Sequence, residues 1–370
     1  MYNIKMTNPK VTDITEVNNN LEFKIENTNV SIVNAIRRTI ISDIPILVFK
    51  TTPYEKNLSD ILVNTSRFNN EILKQRLSCI PVHIKDLDIP YDNMLITLNV
   101  INDTSEVKYV TTEDFKIKDT STDTFISKED LKKIFPKNII TNDYIQFLKL
   151  RPKMGDNLKG EEIQLTAKLS IGTAKENGMF NVAYVCSFSN IPDLEKIKEK
   201  WSDKEKELKD SGMKKDEIDD YKINWGLLDA KRIYKEDSFN FIIKSIGIYT
   251  SSELVKSACD IIVKQLNVIS SGDGFTIKPN QTTMKNCFDV VFDDEDYTIG
   301  KTLEYMFYDN YYINSDILSY VSFYKSHPHN TEAILRLAFN NTVEISAITQ
   351  FITSVCSNAI SIFEEIKNQF

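Results

Sequence analysis

The sequence predicts an α+β chain made of two copies of one unit, the first copy interrupted by a mixed, strand-rich insert. Three observations carry this. The order strand, helix, strand, strand, long apolar-faced helix occurs once before residue 268 and again after residue 285. Between the two stands the strongest break signal in the chain, Ser270-Ser271-Gly272-Asp273-Gly274. From about 53 to 165 the texture changes to short alternating apolar runs, so residues 1–52 and 166–268 form the first unit, 53–165 the insert, 269–284 a linker and 285–370 the second unit. Each copy would bury the apolar helix face that the other needs, which makes the chain a covalently joined pseudo-twofold pair with no need to form a homodimer.

The elements follow in order. Leu21, Phe23 and Ile25 alternate with polar residues as in a half-buried strand. Ile32, Val33, Ile36, Ile40 and Ile41 recur at helical steps until Asp43-Ile44-Pro45 stops the helix, and Ile46 to Thr52 reads as a strand. Inside the insert, Phe68 to Leu77 is helical, Met94 to Ile101 and Tyr144 to Leu150 are strands, and Ser127 with Asp130 begins another helix as a capping box. Ile163 to Ile171 and Phe180 to Phe188, joined through Gly172 to Gly178, read as a hairpin. Residues 193–222, rich in Lys and Glu, read as a solvated helical excursion with local ion pairs. Phe239 to Ile246 is a strand, and Leu254, Val255, Ala258, Ile261, Ile262 and Leu266 form the apolar face of a helix from Ser252 to about Val268. Pro279 keeps the following stretch non-helical to about Thr283. The second copy then runs as strand Phe288 to Phe292, helix Thr298 to Phe307, strands Leu318 to Tyr324 and Ala333 to Phe339, and helix Val343 to Lys367.

Composition narrows the function. The 370 residues carry 45 Lys and Arg against 53 Asp and Glu, a net charge of −8, opposite in sign to a protein that wraps phosphate backbones on its own. Cysteines 79, 186, 259, 287 and 356 include no Cys-x-x-Cys and suit buried, reduced thiols of an intracellular protein. The start, Met1 to Thr7, has no apolar signal core, and no run of 18 apolar residues occurs, so a soluble protein is expected. Gly155 to Gly160 has the spacing of a phosphate loop but is followed by Glu161-Glu162, which would repel the ligand. Asp293-Asp294-Glu295-Asp296 lacks the Gly-interrupted spacing of calcium loops and precedes a helix, where acids oppose the positive end of the dipole. His327-Pro328-His329 has no third ligand nearby and reads as a turn. No metal or cofactor bound by this chain is expected.

Two stretches, Asn34-Ala35-Ile36-Arg37-Arg38-Thr39-Ile40-Ile41-Ser42 and Asn64-Thr65-Ser66-Arg67-Phe68 through Glu71 and Arg76-Leu77 to Ile80-Pro81-Val82, resemble the larger alpha-like assembly subunit of multisubunit DNA-dependent RNA polymerases. Gln75 stands where that family commonly has His. Ala167 to Gly172 and Phe239 to Gly247 agree more weakly. After the linker, Glu295-Asp296-Tyr297-Thr298-Ile299-Gly300-Lys301-Thr302-Leu303 resembles the helix start of the smaller alpha-like subunit, with Tyr297 and Lys301 departing from its His and Asn. Tyr324 to Pro328 with Ile334 to Leu337 resembles its closing hairpin.

The resemblance implies a non-catalytic platform that docks the beta-like second-largest subunit, followed by the largest subunit, with small assembly subunits as further partners. DNA would be met only through the complex, no membrane is involved, and Mg²⁺ belongs to the catalytic subunit. It implies contacts to the beta-like subunit from Arg37, Arg38, Asn64, Glu71 and Arg76, and packing within the pair by Ile36, Ile40, Leu254, Ile261, Ile299 and Leu303. Helical stepping, at 100° per residue, turns Arg38 away from Ile36 and Ile40 and so outward from the paired core. Plainer readings remain. The arginines also suit an ordinary surface, residues 64–82 a capped helix packing Phe68, Ile72 and Leu77, and Thr298 an N-cap with Gly300 easing close packing. The cysteine cluster common in larger subunits is lacking. A joined pair is the arrangement expected of large nucleocytoplasmic DNA viruses, which would place the protein in the virion and host cytoplasm. An alpha-like scaffold outside transcription, or a metal-dependent enzyme using residues 293–296 and His327, are the competing readings.

Overall fold

The computed structural model describes residues 8–155, 159–280 and 284–370. Met1 to Thr7, the middle of the Gly155 to Gly160 loop and residues 281–283 of the expected linker lie outside the described residues. The chain divides into two compact units, one of residues up to 40 with 185–244 and 251–370, the other of 41–184 with 245–250.

Strand β1 (Lys10–Val17) pairs antiparallel with β2 (Asn20–Glu26), whose Leu21, Phe23 and Ile25 are buried as their alternation requires. The sequence reading contained no β1. Its residues are mostly exposed, and a register shift between Thr12 and Thr15 with Asp13 at φ 54° breaks any alternation, as befits an edge strand. Helix α1 (Val30–Ser42) buries Ile32, Val33, Ala35, Ile36 and Ile40 and ends before Pro45.

The second unit begins within α1 and continues with β3 (Ile46–Val48), β4 (Ser59–Asn64), α2 (Asn70–Ser78), β5 (Met94–Ile101), β6 (Lys108–Thr111), β7 (Lys116–Asp119), β8 (Thr124–Phe125), α3 (Lys128–Ile134), β9 (Gln146–Leu150), β10 (Glu162–Lys168) and β11 (Ser170–Gly172). Its main sheet has the order β4-β10-β5-β7-β8, and two-stranded pairs β6-β9 and β11-β3 flank it. Phe49, Phe115, Phe135 and Phe147, all buried, meet in stacked and edge-on pairs at 5.6–6.5 Å and centre its core. Ser127 caps α3 by accepting from the Asp130 amide and donating to the Asp130 carboxylate at 2.7 Å.

The first unit resumes with β12 (Ala183–Pro192), α4 (Leu194–Asp210), α5 (Lys215–Leu227), β13 (Tyr234–Ser245), α6 (Ser251–Ser270), β14 (Phe275–Pro279), β15 (Cys287–Phe292), α7 (Tyr297–Phe307), β16 (Leu318–Tyr324), β17 (Ala333–Phe339) and α8 (Ile345–Asn368). The charged excursion is two helices that turn at Gly212 (φ 81°) and close on Trp201 and Trp225, whose rings lie 5.3 Å apart. Two expectations fail. The stretches 163–171 and 180–188 do not form a hairpin: β10 pairs with β4 and β5, β11 with β3, and β12 joins β13 in another sheet. Turn composition marks where a chain reverses and not which strand receives it. The expected linker also holds a strand, β14, whose Ile277 pairs with Val290 of β15.

The first unit therefore contains two four-stranded antiparallel sheets, of order β1-β2-β13-β12 and β14-β15-β17-β16. The two correspond in element order: each has a hairpin, a helix after its second strand (α1 and α7), and a long helix after the strand that pairs back onto it (α6 and α8).

Within the second sheet, Gly300 on α7 lies against the buried ring of Phe323 on β16, where a Cβ would overlap the ring. Tyr297 stands edge-on to the same ring at 5.6 Å. Gly300→Ala relieves the helix of a glycine, a gain of about 0.5–1 kcal/mol. The overlap is nevertheless expected to dominate and destabilise by about 1–3 kcal/mol. A thermal melt of the variant checks the sign, and a melting temperature at or above that of the parent would refute the close-packing role.

Candidate functional site

In the first unit α6 and α8 pack against each other along a long apolar seam. Leu254, Val255, Ala258, Cys259, Ile262, Leu266 and Ile269 make a fully buried stripe on α6, and Ile348, Ile352, Val355, Cys356, Ala359, Ile362, Phe363 and Ile366 make one on α8. Lys367 pairs with Asp260 at 2.5 Å, and the Thr353 hydroxyl donates to the Ser270 carbonyl at 3.2 Å. Residue numbers rise along one helix as they fall along the other, so the two run antiparallel. The C-terminus crosses the same seam. Gln369 donates to the Pro9 carbonyl and accepts from the Val11 amide, at 2.8 and 2.7 Å, and Phe370 sits edge-on to Phe23 at 4.8 Å. By length and composition α8 is apolar enough to cross a membrane, but its apolar stripe is the one buried here.

Of the residues expected to pack the pair, Ile36, Ile40, Leu254, Ile299 and Leu303 are buried, whereas Ile261 is half-buried at the edge of the stripe centred on Ile262. Arg38 does not point outward as helical stepping suggested. Its Nε donates to Thr298 Oγ1 at 2.8 Å and its Nη2 to Asp296 Oδ2 at 2.5 Å. Stepping orients a side chain about its own helix axis; it carries no information about α7, whose N-terminus arrives from 258 residues away.

The cap of α7 is Asp296, with Oδ1 accepting from the Tyr297 amide at 2.6 Å, so Thr298 is not the N-cap and its hydroxyl serves Arg38. A guanidinium alone would be repelled by the positive end of α7's dipole, and the Asp296 carboxylate lies between the two charges and satisfies both. Lys301 pairs with Glu304 at 2.6 Å. Arg37 donates to Asn34 Oδ1 at 2.9 Å, and its charge partly opposes the burial that pushes the Cys186 thiol up to about 12.

In the other unit, Asn64 folds the loop before α2. Its Oδ1 accepts from the Ser66 amide and hydroxyl, and its Nδ2 donates to the Phe68 carbonyl and Asn70 Oδ1, both at 2.8 Å. Arg76 donates to the Phe147 and Gln146 carbonyls at 2.6 and 2.8 Å and lies over the Phe68 ring. Both side chains are thus held within the insert. Glu71, in the first turn of α2, is exposed. Leu73 and Leu77 face the core, while Phe68 and Ile72, expected to pack inward with Leu77, are 36% and 40% exposed beside Glu71.

The thiols of Cys259 and Cys356, like that of Cys186, are pushed up to about 12 by burial, which makes them poor nucleophiles. His327 and His329 form an exposed turn in which His327 Nδ1 accepts the His329 amide. Among the described residues no three His, Cys, Asp or Glu side chains are grouped to hold a metal ion.

Residues 22–266 match the family described as the RNA polymerase Rpb3/Rpb11 dimerisation domain. The chain is 25% identical over 300 residues to subunit 3B of DNA-directed RNA polymerases IV and V of Arabidopsis thaliana, covering 68% of this chain and 87% of that protein. It is 22% identical over 265 residues to the DNA-directed RNA polymerase subunit Rpo3 of Methanosphaera stadtmanae, covering 67% and 92%. With subunit RPAC1 of human DNA-directed RNA polymerases I and III it shares 27% identity over 195 residues, 48% of this chain and 52% of that protein.

The bridging role of Asp296 has a distinctive signature. Asp296→Asn retains an N-cap but removes the carboxylate charge that stands between Arg38 and the dipole. It is expected to cost about 0.5–1.5 kcal/mol with Arg38 present, given that both side chains are over a third exposed, and close to nothing in an Arg38→Ala background. Denaturant melts of the four proteins measure the coupling, and additive effects would reduce the contact to an incidental one.

Proposed function

The chain belongs to the RNA polymerase Rpb3/Rpb11 dimerisation family, and from that premise we propose that its work is assembly: it is a non-catalytic subunit of a DNA-directed RNA polymerase. We further propose that the usual pairing of two alpha-like chains is made here within one chain. The observation that carries this is the repeated sheet order together with the antiparallel packing of α6 on α8. Two equivalent helices related by a twofold axis perpendicular to them must run antiparallel. The family match ends at residue 266, so the second copy, 285–370, rests on this topology and on its own motif around Thr298 and Gly300.

The paired copies are the platform, and the partners are the other large polymerase subunits. Asn64 and Arg76, committed to internal hydrogen bonds, shape the docking element, while the exposed row of Phe68, Glu71 and Ile72 on and before α2 contacts the second-largest, beta-like subunit. Arg37 remains at the edge of α1, half-exposed, as a further contact. Arg38, engaged with α7, ties α1 to the start of α7 and so fixes the alignment of the pair. Polymerisation chemistry, with its Mg²⁺, resides in the largest subunit.

Two experiments test this. A protease site placed in Ser271 to Gly274, the short join between α6 and β14, should give two fragments that still co-elute at micromolar concentration, because the join only raises effective concentration. Fragments that separate would refute the paired-copy reading. Independently, affinity capture of the chain from its native source should bring down the two largest polymerase subunits. Glu71→Lys with Ile72→Asp should reduce that capture by about tenfold or more while the free chain's melting curve stays put. Capture without any polymerase subunit would favour a scaffold outside transcription.

A further inference from the structure

The insert unit carries a cavity of about 440 Å³ that the assembly role does not use. Its floor is apolar: Phe115, Ile117 and Phe135 are buried beneath it, and Leu131 and Ile126 form half-buried walls. Phe125, on the short edge strand β8, stands at the mouth with 58% of its surface exposed, and Tyr144 closes the other side beneath the ammonium of Lys137 at 4.9 Å. This volume is in the range of pockets that bind specific ligands.

The rim has the opposite sign to the protein. The chain carries −8, yet Lys116 of β7 and Lys128 and Lys132 of α3 line this opening. All three are exposed, and none makes an ion pair among the described residues. Neighbouring Lys118 and Lys133, by contrast, are paired with Asp123 and Asp130. The acidic residues of the lining are Glu113 and Asp114, and Asp114 is occupied by the Thr111 amide at 2.9 Å. Lys128 and Lys132 are one helical turn apart, about 6 Å along the axis. One small carboxylate cannot satisfy both and also fill the floor.

We propose that this cleft is a docking site for a short acidic segment of a partner polypeptide, one that inserts a large apolar side chain over Phe115 and Phe135 and sets flanking carboxylates against Lys116, Lys128 and Lys132. The hydrophobic floor supplies affinity and the lysines supply orientation and discrimination against basic segments. The site is independent of the pairing seam, so it stands or falls apart from the polymerase reading.

The test uses the full chain and two fluorescent, end-blocked hexapeptides of equal apolar content, Glu-Asp-Phe-Glu-Leu-Asp and Lys-Lys-Phe-Lys-Leu-Lys, followed by fluorescence polarisation at low and high salt. The acidic peptide is expected to bind at least about tenfold more tightly than the basic one, and more weakly as salt screens the rim. Lys128→Glu with Lys132→Glu, both exposed changes, should reverse that preference, and Phe125→Ser should weaken both, with melting curves unchanged. Equal binding of the two peptides, or indifference to the lysine reversals, would overturn the proposal. So would displacement of the peptide by phenylacetate at comparable concentration, which would mark a small-molecule site.

Discussion

The packing of α6 on α8 is the constraint on which the rest of the first unit depends. A four-stranded antiparallel sheet with one helix beside it has an apolar helix face left over, and neither sheet here has a second layer of its own to cover it. Each long helix supplies that layer for the other. The two buried stripes contain Ala258, Cys259, Cys356 and Ala359 among larger aliphatic residues, all fully buried, so small side chains sit where the helices meet. Separating the helices would expose both stripes at once. At about 25 cal/mol for each Å² of apolar surface, that is a penalty no surface ion pair can match.

The charged contacts along the seam act differently. Arg38 with Asp296 and Lys367 with Asp260 are partly solvated, and pairs of that kind contribute little to net stability. Their contribution is register. An apolar stripe tolerates sliding and alternative partners, whereas a guanidinium shared between a helix-capping carboxylate and a threonine hydroxyl has one geometry. The Asp296 carboxylate is suited to this because one oxygen holds the helix end and the other the arginine, so the alignment of α1 is tied to the start of α7.

Much of this architecture is legible in the sequence wherever burial is one-sided. The alternation of Leu21, Phe23 and Ile25, the stripes of α6 and α8, and the start of α3 at the Ser127 cap match the structure, because the pattern and the environment are set by the same residues, although Asp130 accepts the Ser127 hydroxyl and not its amide as a capping box would require. The failures have two causes. β1 and β14 are edge strands, held by backbone pairing that leaves little trace in side-chain pattern. The partner of β12, the destination of Arg38 and the outward turn of Phe68 and Ile72 depend on segments remote in sequence, about which local periodicity is silent. Tyr297, which departs from the histidine of the motif it resembles, packs edge-on to Phe323, a contact between α7 and β16 that the sequence did not signal.

The shared strand order also explains where new surface could be added. Beside the second sheet the connections α7 to β16 and β16 to β17 span only residues 308–317 and 325–332, while beside the first sheet the corresponding connections hold residues 43–182 and 193–233. Both insertions enter at a turn between elements and leave the sheet order unchanged. Loop-closure entropy grows only slowly with length, so such additions cost the pairing core little. The elements common to both sheets therefore make the α6–α8 seam, and the segments found beside only the first sheet are free to diversify. The row of Phe68, Glu71 and Ile72, the lysine-rimmed cavity and the Trp201–Trp225 helical pair all lie in those unique segments. The two sheets thus bring the same strand order to the α6–α8 seam, while the segments found beside only the first sheet give that side surfaces the other lacks.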